Sequence, residues 1–419
     1  MTEQTYAFHE YADLFPMLDD DALAELTADV RSNGLLEAIV LYEGKILDGR
    51  NRYLACREAG VEPRFTQYDG NDALQYVVSK NLHRRHLKSS QRAAIALDVL
   101  PMLEAQARKR QVELAGTRPN TGDDLTEKVP EGEAREQAAA MLGTNPRYVS
   151  DAKKLKDKAP DLLEEVRKGN LTIGKAKTEL KRRELRQEYK EKAEAVKEDA
   201  APDIIWNEGS FQDHIDSLQD GTINVILTDP PYGMDYQSHR RGVLFDKIEN
   251  DSPQSATAVL REALSKLKPK LADDAHVLVF CTWRNEHETM EALRATGYRV
   301  IGSLVWVKDN HGSGNLQSGF APMHERIVHA IKGAPALLKR IPDVLYAKKV
   351  STDIHPTEKP VALLKQLIEV TCPEGGMVAD PFGGVGSTLE AAKQCKRAAW
   401  GCELVNDYYV AGKARLYAA

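Results

Sequence analysis

The chain has 419 residues, 42% hydrophobic and 29% charged, with a formal net charge of −6. That length predicts two or three domains rather than one, and the apolar share is enough for buried cores. No apolar run nears the ~18 residues of a membrane span, no basic-then-apolar leader opens the chain, and the negative balance confines nucleic-acid contact to local basic patches.

In chain order, "DDDALAELTADVRSNG" (19–34) has an acidic start, helical apolar spacing and a glycine stop, which predict a helix. "AIVLYEGKILDG" (38–49) predicts two short strands about a Glu43-Gly44 turn, and "NRYLACREAG" (51–60) a helix ending at Gly60. Ser89-Ser90 suits the N-cap of a helix running toward Arg110, with a bend at Pro101. The polar, Gly- and Pro-rich stretch 115–134 predicts a loose loop. "EQAAAMLGTNPRYVSDAKKL" (136–155) predicts helix, glycine turn, helix, with Pro146 in the first turn of the second. Residues 174–200 are almost all charged or alanine and predict an exposed helix leading to the linker "DAAPD" (199–203). The expected domains are therefore a small α/β unit at 1–88, a helical unit at 89–200 and a larger α/β unit at 201–419.

From residue 204 buried strands alternate with helices: "NVILTD", "HVLVFC", "GSLVWVK", "ERIVHAI", "GMVADP" and "AAWGCEL". Short Val/Ile/Leu-rich strands of this kind predict an α/β fold with a largely parallel sheet. The five cysteines (Cys56, Cys281, Cys372, Cys395, Cys402) are odd in number and form no C-x-x-C pair, so no disulfide framework or zinc site is expected and a reducing cytoplasm is.

The segment "MVADPFGGVGSTLEAAKQCKRAAWGCE" (377–403) reads strand, glycine-rich turn, helix, strand, acid. In a doubly wound sheet such glycines let the backbone approach a ligand at a helix N-terminus. Glu403, at the tip of the next strand, is placed to accept bonds from a ribose diol. The turn fits neither G-x-G-x-x-G nor a Walker loop, because no Lys-Ser/Thr follows the last glycine, so a ligand-free βα turn stays open at this point.

"NVIL" (224–227) predicts a central strand, which puts Asp229 just past its carboxyl end, on the rim where open α/β sheets bind ligands. Pro230 and Pro231 carry no N–H, so the Pro230 carbonyl is left unused beside the Asp229 carboxylate. Two converging acceptors suit an NH₂ group that donates two hydrogen bonds, and Tyr232 offers a flat face to the ring carrying it. The group so described is the exocyclic amine of a nucleobase, which a duplex can present to a pocket only by flipping the base out.

Asp-Pro-Pro-Tyr at one strand end and "DPFGGVGST" at another resemble the amino-group DNA methyltransferases that use S-adenosylmethionine. The resemblance covers residues 204–419. "LVWVK" (304–308) and "MHERIVHAIKG" (323–333) are similar to that family's middle strands. "HPTEKPVALLKQLI" (355–368) is similar to the segment before its cofactor loop, and "CELVNDYYVAGKARL" (402–416) to its closing strand and helix. The motif order, with Asp-Pro-Pro-Tyr ahead of the cofactor loop, resembles the circularly permuted β order. The resemblance implies a Rossmann-like fold in which Asp229, Pro230, Pro231 and Tyr232 hold and stack the target base. It implies a cofactor framed by Asp380, Pro381, Phe382, Gly383, Gly384, Gly386, Ser387, Thr388 and Glu403, with Lys359 and His355 nearby. No cysteine follows a proline as a nucleophile would, which argues against carbon-5 cytosine methylation. Aspartate in the first motif position leans toward adenine N6 over cytosine N4. Two departures stand out: Gly209-Ser210 where many relatives have Gly-Asp, and Ser387 beside Thr388.

"DGRNRYLACREAG" (48–60) and "KNLHRRHLKSSQR" (80–92) resemble the ParB-like partition proteins and their sulfiredoxin-related fold. Partition relatives bind CTP there, which implies a nucleotide site at Gly49, Arg50, Arg52, Asn81 and Arg84. Sulfiredoxin carries a cysteine where this chain has Asn51. His83 and His86 lack an evident third ligand, so no metal is expected. The helical pair at 136–155 resembles that family's helix-turn-helix and implies DNA contact through Arg147, Tyr148, Ser150, Lys153 and Lys154. Only about twenty residues separate "ERIVHAIKG" from "HPTEKP", so the amino-terminal half is expected to supply much of the DNA affinity. The whole reads as a cytoplasmic enzyme of a prokaryote, phage or mobile element. A partition-like DNA-binding regulator is the alternative, and a homodimer and a companion restriction enzyme are both compatible with either.

Overall fold

Asp19 accepts a hydrogen bond from the Ala22 N–H at 2.9 Å, and Gly34 closes the same helix at φ 72°. Helix α1 (Asp20–Asn33) therefore begins and ends on its sequence signals. Strands β1 (Ile39–Tyr42) and β2 (Lys45–Asp48) form a hairpin turned by Glu43 and Gly44, both at positive φ, and α2 (Arg50–Ala59) follows from Gly49. Strand β3 (Phe65–Gln67) adds in parallel to β1, giving the order β2-β1-β3. Helices α3 (Ala73–Arg85), α4 (Ser89–Ala115), α5 (Glu131–Met141), α6 (Pro146–Lys158), α7 (Pro160–Lys168) and α8 (Ile173–Ala195) come next.

The structure is a computed structural model that describes residues 5–15, 17–85, 87–115, 131–197, 201–232, 253–311, 319–350, 354–355 and 357–418. The chain divides into two units, Met1–Leu180 and Lys181–Ala419, with the division falling inside α8. Leu47, Leu74 and Val77 share one buried core with Ala94, Leu142, Leu155 and Val166, so apolar contact runs across residue 88. Helix α4 continues through Pro101 to Ala115, five residues past the expected end, and most of the expected 115–134 loop lies outside the described residues.

The second unit contains β4 (Ile204–Glu208), a short α9 (Phe211–His214), β5 (Ile223–Thr228), α10 (Pro253–Leu267), β6 (Leu271–Cys281), α11 (Glu286–Ala295) and β7 (Arg299–Val307). It continues with β8 (His324–Lys332), β9 (Val344–Tyr346), α12 (Val361–Thr371), β10 (Met377–Asp380), α13 (Ser387–Gln394), β11 (Ala398–Glu403) and α14 (Asn406–Leu416). The eight strands lie in the order β4-β11-β10-β5-β6-β8-β7-β9. The first five are mutually parallel, but β8 runs antiparallel to both of its neighbours, so the sheet is mixed rather than parallel throughout. A strand buried on both faces reads as a continuous apolar run whichever way it points, which is why "ERIVHAI" did not declare its direction.

Both faces are covered. Val225 and Leu227 pack with Leu364, Leu367 and Leu389 on one side, while Ile226 packs with Leu260, Leu264 and Leu293 on the other. Successive strand residues point to opposite faces, so the three-residue apolar run Val225–Leu227 feeds two cores at once. Each fully buried Leu or Ile contributes about 1.5–3 kcal/mol. That rigidity is what holds the carboxyl ends of the strands in place.

Candidate active site

Strands β5 and β10 are neighbours, yet the chain leaves β5 toward β6 on one side and β10 toward β11 on the other. The crevice at such a reversal of strand order is where open α/β sheets bind ligands. Asp229 follows the last residue of β5, and Asp380 is the last residue of β10. The buried Thr228 hydroxyl donates to Asp380 Oδ1 at 2.6 Å and so ties the two strand ends together. Above them opens a cavity of about 740 Å³, lined on one side by Asp229 to Tyr232 and on the other by Asp380 to Val385 and Glu403.

On the glycine-loop side, burial pushes the Asp380 carboxyl up to about 6, against hydrogen bonds from Thr228, Thr388 and the Phe382 N–H. Pro381, Gly383, Gly384, Ser387 and Thr388 also line the cavity. The Gly384 N–H donates to Glu403 Oε2 at 2.8 Å and the Val405 N–H to Glu403 Oε1 at 2.8 Å. Burial still raises the Glu403 carboxyl to about 7. A carboxylate has about four acceptor sites, so Glu403 keeps capacity for a diol after taking two N–H groups.

The glycines divide by cause. Gly384 has φ 55° and a Cβ there would stand 3.3 Å from His355 Nε2, so this turn admits no side chain at the cavity wall. Gly383 is dictated by packing: a Cβ would fall 2.4 Å from the Trp206 ring. Gly386, at φ 73°, starts α13 and backs onto Leu416, 3.1 Å from where a Cβ would stand. Ser387 is held in a buried network, accepting from Arg415 Nη1 at 2.8 Å, while Arg415 Nη2 donates to Glu358 at 2.7 Å. His355 lines the cavity, its ring edge-on to Tyr408, and burial with Lys359 and Arg415 nearby lowers it to about 3, so it is a neutral imidazole. Gly209 and Ser210 sit in the cavity wall too, with Ser210 capping α9. Phe382 packs edge-on against Phe211.

On the Asp229 side, the Tyr232 hydroxyl donates to Asp229 Oδ1 at 2.5 Å. The Lys359 ammonium contacts Asp229 Oδ2 and lies 3.4 Å from Glu325 Oε2, and Lys308 Nζ meets Glu325 Oε1 at 2.6 Å. Lys359, expected near the cofactor loop, lines the same cavity and contacts the Asp229 carboxylate. Burial raises Asp229, partly offset by Lys359. Burial alone would also raise Glu325, but Lys359 and Lys308 hold it below the usual carboxylate range. The two acids keep Lys359 protonated despite its burial. Glu325 and Lys308 were missed in the sequence: Glu325 pairs with Trp306 near one end of the β7–β8 ladder, and Lys308 follows directly after β7 at the same end. Cys402 also lines the cavity, but burial pushes its thiol to about 12, so it is no thiolate nucleophile.

These residues fit S-adenosylmethionine together with a base. The volume is within the roughly 300–1,000 Å³ of small-molecule sites. The wall carries a backbone turn closed to side chains at Gly384 and an acid, Glu403, with lone pairs to offer.

In the first unit, a second cavity of about 360 Å³ is lined by Gly49, Arg50, Asn51, Arg52 and Asn81. Arg50 donates to Asp13 at 2.5 Å and to the Phe15 carbonyl at 2.5 Å, while Arg52 pairs with Asp48 at 2.9 Å and with Glu37. The side chains of Arg84, His83 and His86 lie outside the described residues. On α6 the residues Val149, Ala152 and Leu155 are buried, leaving Arg147, Tyr148, Lys153 and Lys154 exposed on the other face. The Ser150 hydroxyl is turned inward, accepting from Arg135 and donating to the Pro146 carbonyl.

Residues 223–413 match the family profile described as DNA methylase, for N6 and N4 methyltransferases. The protein YubD of Escherichia coli (strain K12), which carries the name of a methylase, is 36% identical over 198 residues, spanning 47% of this chain and 82% of that one. The type II methyltransferase M.HpaI of Haemophilus parainfluenzae is 27% identical over 224 residues, 48% of this chain and 70% of that protein. Among solved structures, the M1.HpyAVI–SAM complex is 22% identical with a TM-score of 0.42, covering 51% of this chain and 100% of that one. PvuII DNA methyltransferase (cytosine-N4-specific) is 14% identical with a TM-score of 0.42, covering 51% and 88%.

Proposed function

The chain belongs to the N6/N4 family of DNA methylases, and from that footing we propose that it methylates the exocyclic N6 amine of adenine in DNA, using S-adenosylmethionine. The observation that supports the reading is the Thr228–Asp380 hydrogen bond, which joins the end of β5, next to Asp229, to the end of β10, before the glycine loop, with Asp229 and that loop lining one cavity. Bound there, the cofactor supplies an electrophilic methyl group. Asp229 and the Pro230 carbonyl each accept one N–H of the amine, which turns its lone pair out of conjugation with the ring and toward the glycine loop. Tyr232 covers the face of the flipped base. Glu403 takes the ribose hydroxyls, and the Gly384 turn admits the cofactor against the backbone. The rate gain is chiefly positional, since alignment alone supplies about 7–11 kcal/mol in well-oriented reactions. Aspartate rather than serine ahead of the Pro-Pro pair supports adenine over cytosine.

In the amino-terminal unit, the exposed face of α6, with Arg147, Lys153 and Lys154, contributes phosphate contacts. The 360 Å³ cavity takes a nucleotide only if Arg50 and Arg52 exchange their acids for phosphates. Incubating the full chain with methyl-labelled cofactor and unmethylated DNA tests the central reading. Label in the DNA, absent with Asp229→Ala, is the expected result. DNA binding by the wild type without any label would leave a DNA-binding regulator as the better description.

A further inference from the structure

Four charged side chains converge in the cavity wall: Asp229, Lys359, Glu325 and Lys308. Their side chains are only 19%, 5%, 17% and 15% exposed, respectively. Two acids and two bases balance to zero, as buried charges must if they are to be tolerated. Lys359 is the shared member. Its three donors face Asp229 Oδ2, Glu325 Oε2 and the Thr357 carbonyl at 3.3 Å, with the Tyr232 hydroxyl at 3.1 Å. The second oxygen of Asp229, Oδ1, is engaged differently, by a single hydroxyl from the neighbouring Tyr232. A phenol O–H can rotate away, whereas an ammonium fixed from several directions cannot leave without breaking its ion pairs to two carboxylates.

We propose that Lys359 is a positioning residue for the methyl transfer, pinning Asp229 Oδ2 so that Oδ1 alone is offered to the substrate amine, which displaces the Tyr232 hydroxyl. The inference rests on the methyltransferase reading. Glu325 divides the Lys359 charge with Asp229, and Lys308 in turn holds Glu325. The other groups facing Asp229 are Tyr232 on its own loop, Asp380 at the end of β10 and the protonated Cys281 at the end of β6. Asp229 must be ionised to accept from the amine without offering a competing proton. The two neighbours therefore act with opposite sign. Without Lys359, Asp229 loses the cation that contacts it, keeps Glu325 nearby, and retains its proton to higher pH. Without the Glu325 charge, the whole ammonium serves Asp229 and the carboxylate survives to lower pH.

The test is the pH–rate profile of single-turnover methylation by the full chain, with cofactor affinity measured on each variant by calorimetry as a fold control. Lys359→Met is expected to lower the rate at pH 7 by about 100-fold, the scale of losing one oriented charge-stabilising group, and to move the acid limb up by about one unit or more. Glu325→Gln is expected to move that limb down, and Lys359→Arg to restore the wild-type limb while recovering part of the rate. If Lys359→Met and Glu325→Gln shift the limb the same way, or not at all, while both still bind cofactor, the positioning role is wrong. Should Lys359→Met not fold, the direction of the Glu325→Gln shift decides alone. A wild-type chain that transfers no label defeats the methyltransferase reading instead, a separate outcome.

Discussion

In the cavity beside Gly49, each guanidinium meets acids of its own unit: Arg50 with Asp13, and Arg52 with Asp48 and Glu37. In the cavity beside Asp229, the lysines Lys359 and Lys308 face Asp229 and Glu325, with Asp380 and Glu403 in the same wall. Charges matched within the fold hold loops in place and leave little for a ligand. Asp380 and Glu403, bonded by hydroxyl and N–H groups and held by desolvation above their usual range, leave acceptor capacity that a donor from outside can use. The cavity beside Asp229 therefore carries the stronger sign of chemistry.

That contrast can be broken most sharply at Asp229. Asp229→Ala is expected to lower methyl transfer by about 10²–10³-fold or more, as for removal of an oriented transition-state contact, with DNA binding retained in a filter or mobility assay. In the other cavity, Arg52→Ala is expected to act on stability rather than on catalysis. It removes the Arg52 guanidinium from Asp48, which is 8% exposed, at a cost of about 1–3 kcal/mol, read as a lower midpoint in urea or heat. An equal loss of methylation at constant stability would erase the contrast drawn here.

A smaller effect follows from Glu403. Its carboxyl is raised to about 7 from an ordinary 4.5, so the folded protein holds a proton that the unfolded chain has released. Stability of the unliganded protein from this group is present below pH 4.5 and is lost as pH rises through about 7. Cofactor affinity runs the other way, because the ionised form is the better acceptor of a diol. Calorimetric titration of the cofactor is expected to weaken by about tenfold between pH 8 and pH 6, and Glu403→Gln to flatten that dependence. The smallest effect belongs to α6. Arg147→Ala with Lys154→Ala is expected to weaken DNA binding similarly on all sequences and to reduce the salt slope by about two, leaving turnover at saturating DNA unchanged.

How much of this was legible depended on how local the chemistry is. Asp-Pro-Pro-Tyr and the Gly383–Gly386 turn declare themselves, because strand end, missing N–H groups and positive φ are properties of neighbouring residues. Glu403 was readable for the same reason, standing at the tip of a strand one helix beyond the glycines. The partners of Asp229 were not. Lys359 is 130 residues away and the Thr228–Asp380 bond spans 152, so only the strand order brings them together. Gly383 was read as a ligand-facing glycine, yet the ring of Trp206 excludes a side chain there, a packing demand invisible in the local motif. Tyr232 was read for its face, while its hydroxyl bond to Asp229 needed coordinates. A largely parallel sheet was legible, but the reversal of β8 was not, because burial on both sides erases the alternation that would have betrayed it.

The most direct measurement is the identity of the labelled nucleoside after digestion of DNA that the full chain has methylated. N6-methyldeoxyadenosine, lost with Asp229→Ala, is the expected product. Label on cytosine N4 would contradict the choice of base, and label on a ring carbon of cytosine, or none at all, would contradict an amine held by Asp229 and the Pro230 carbonyl.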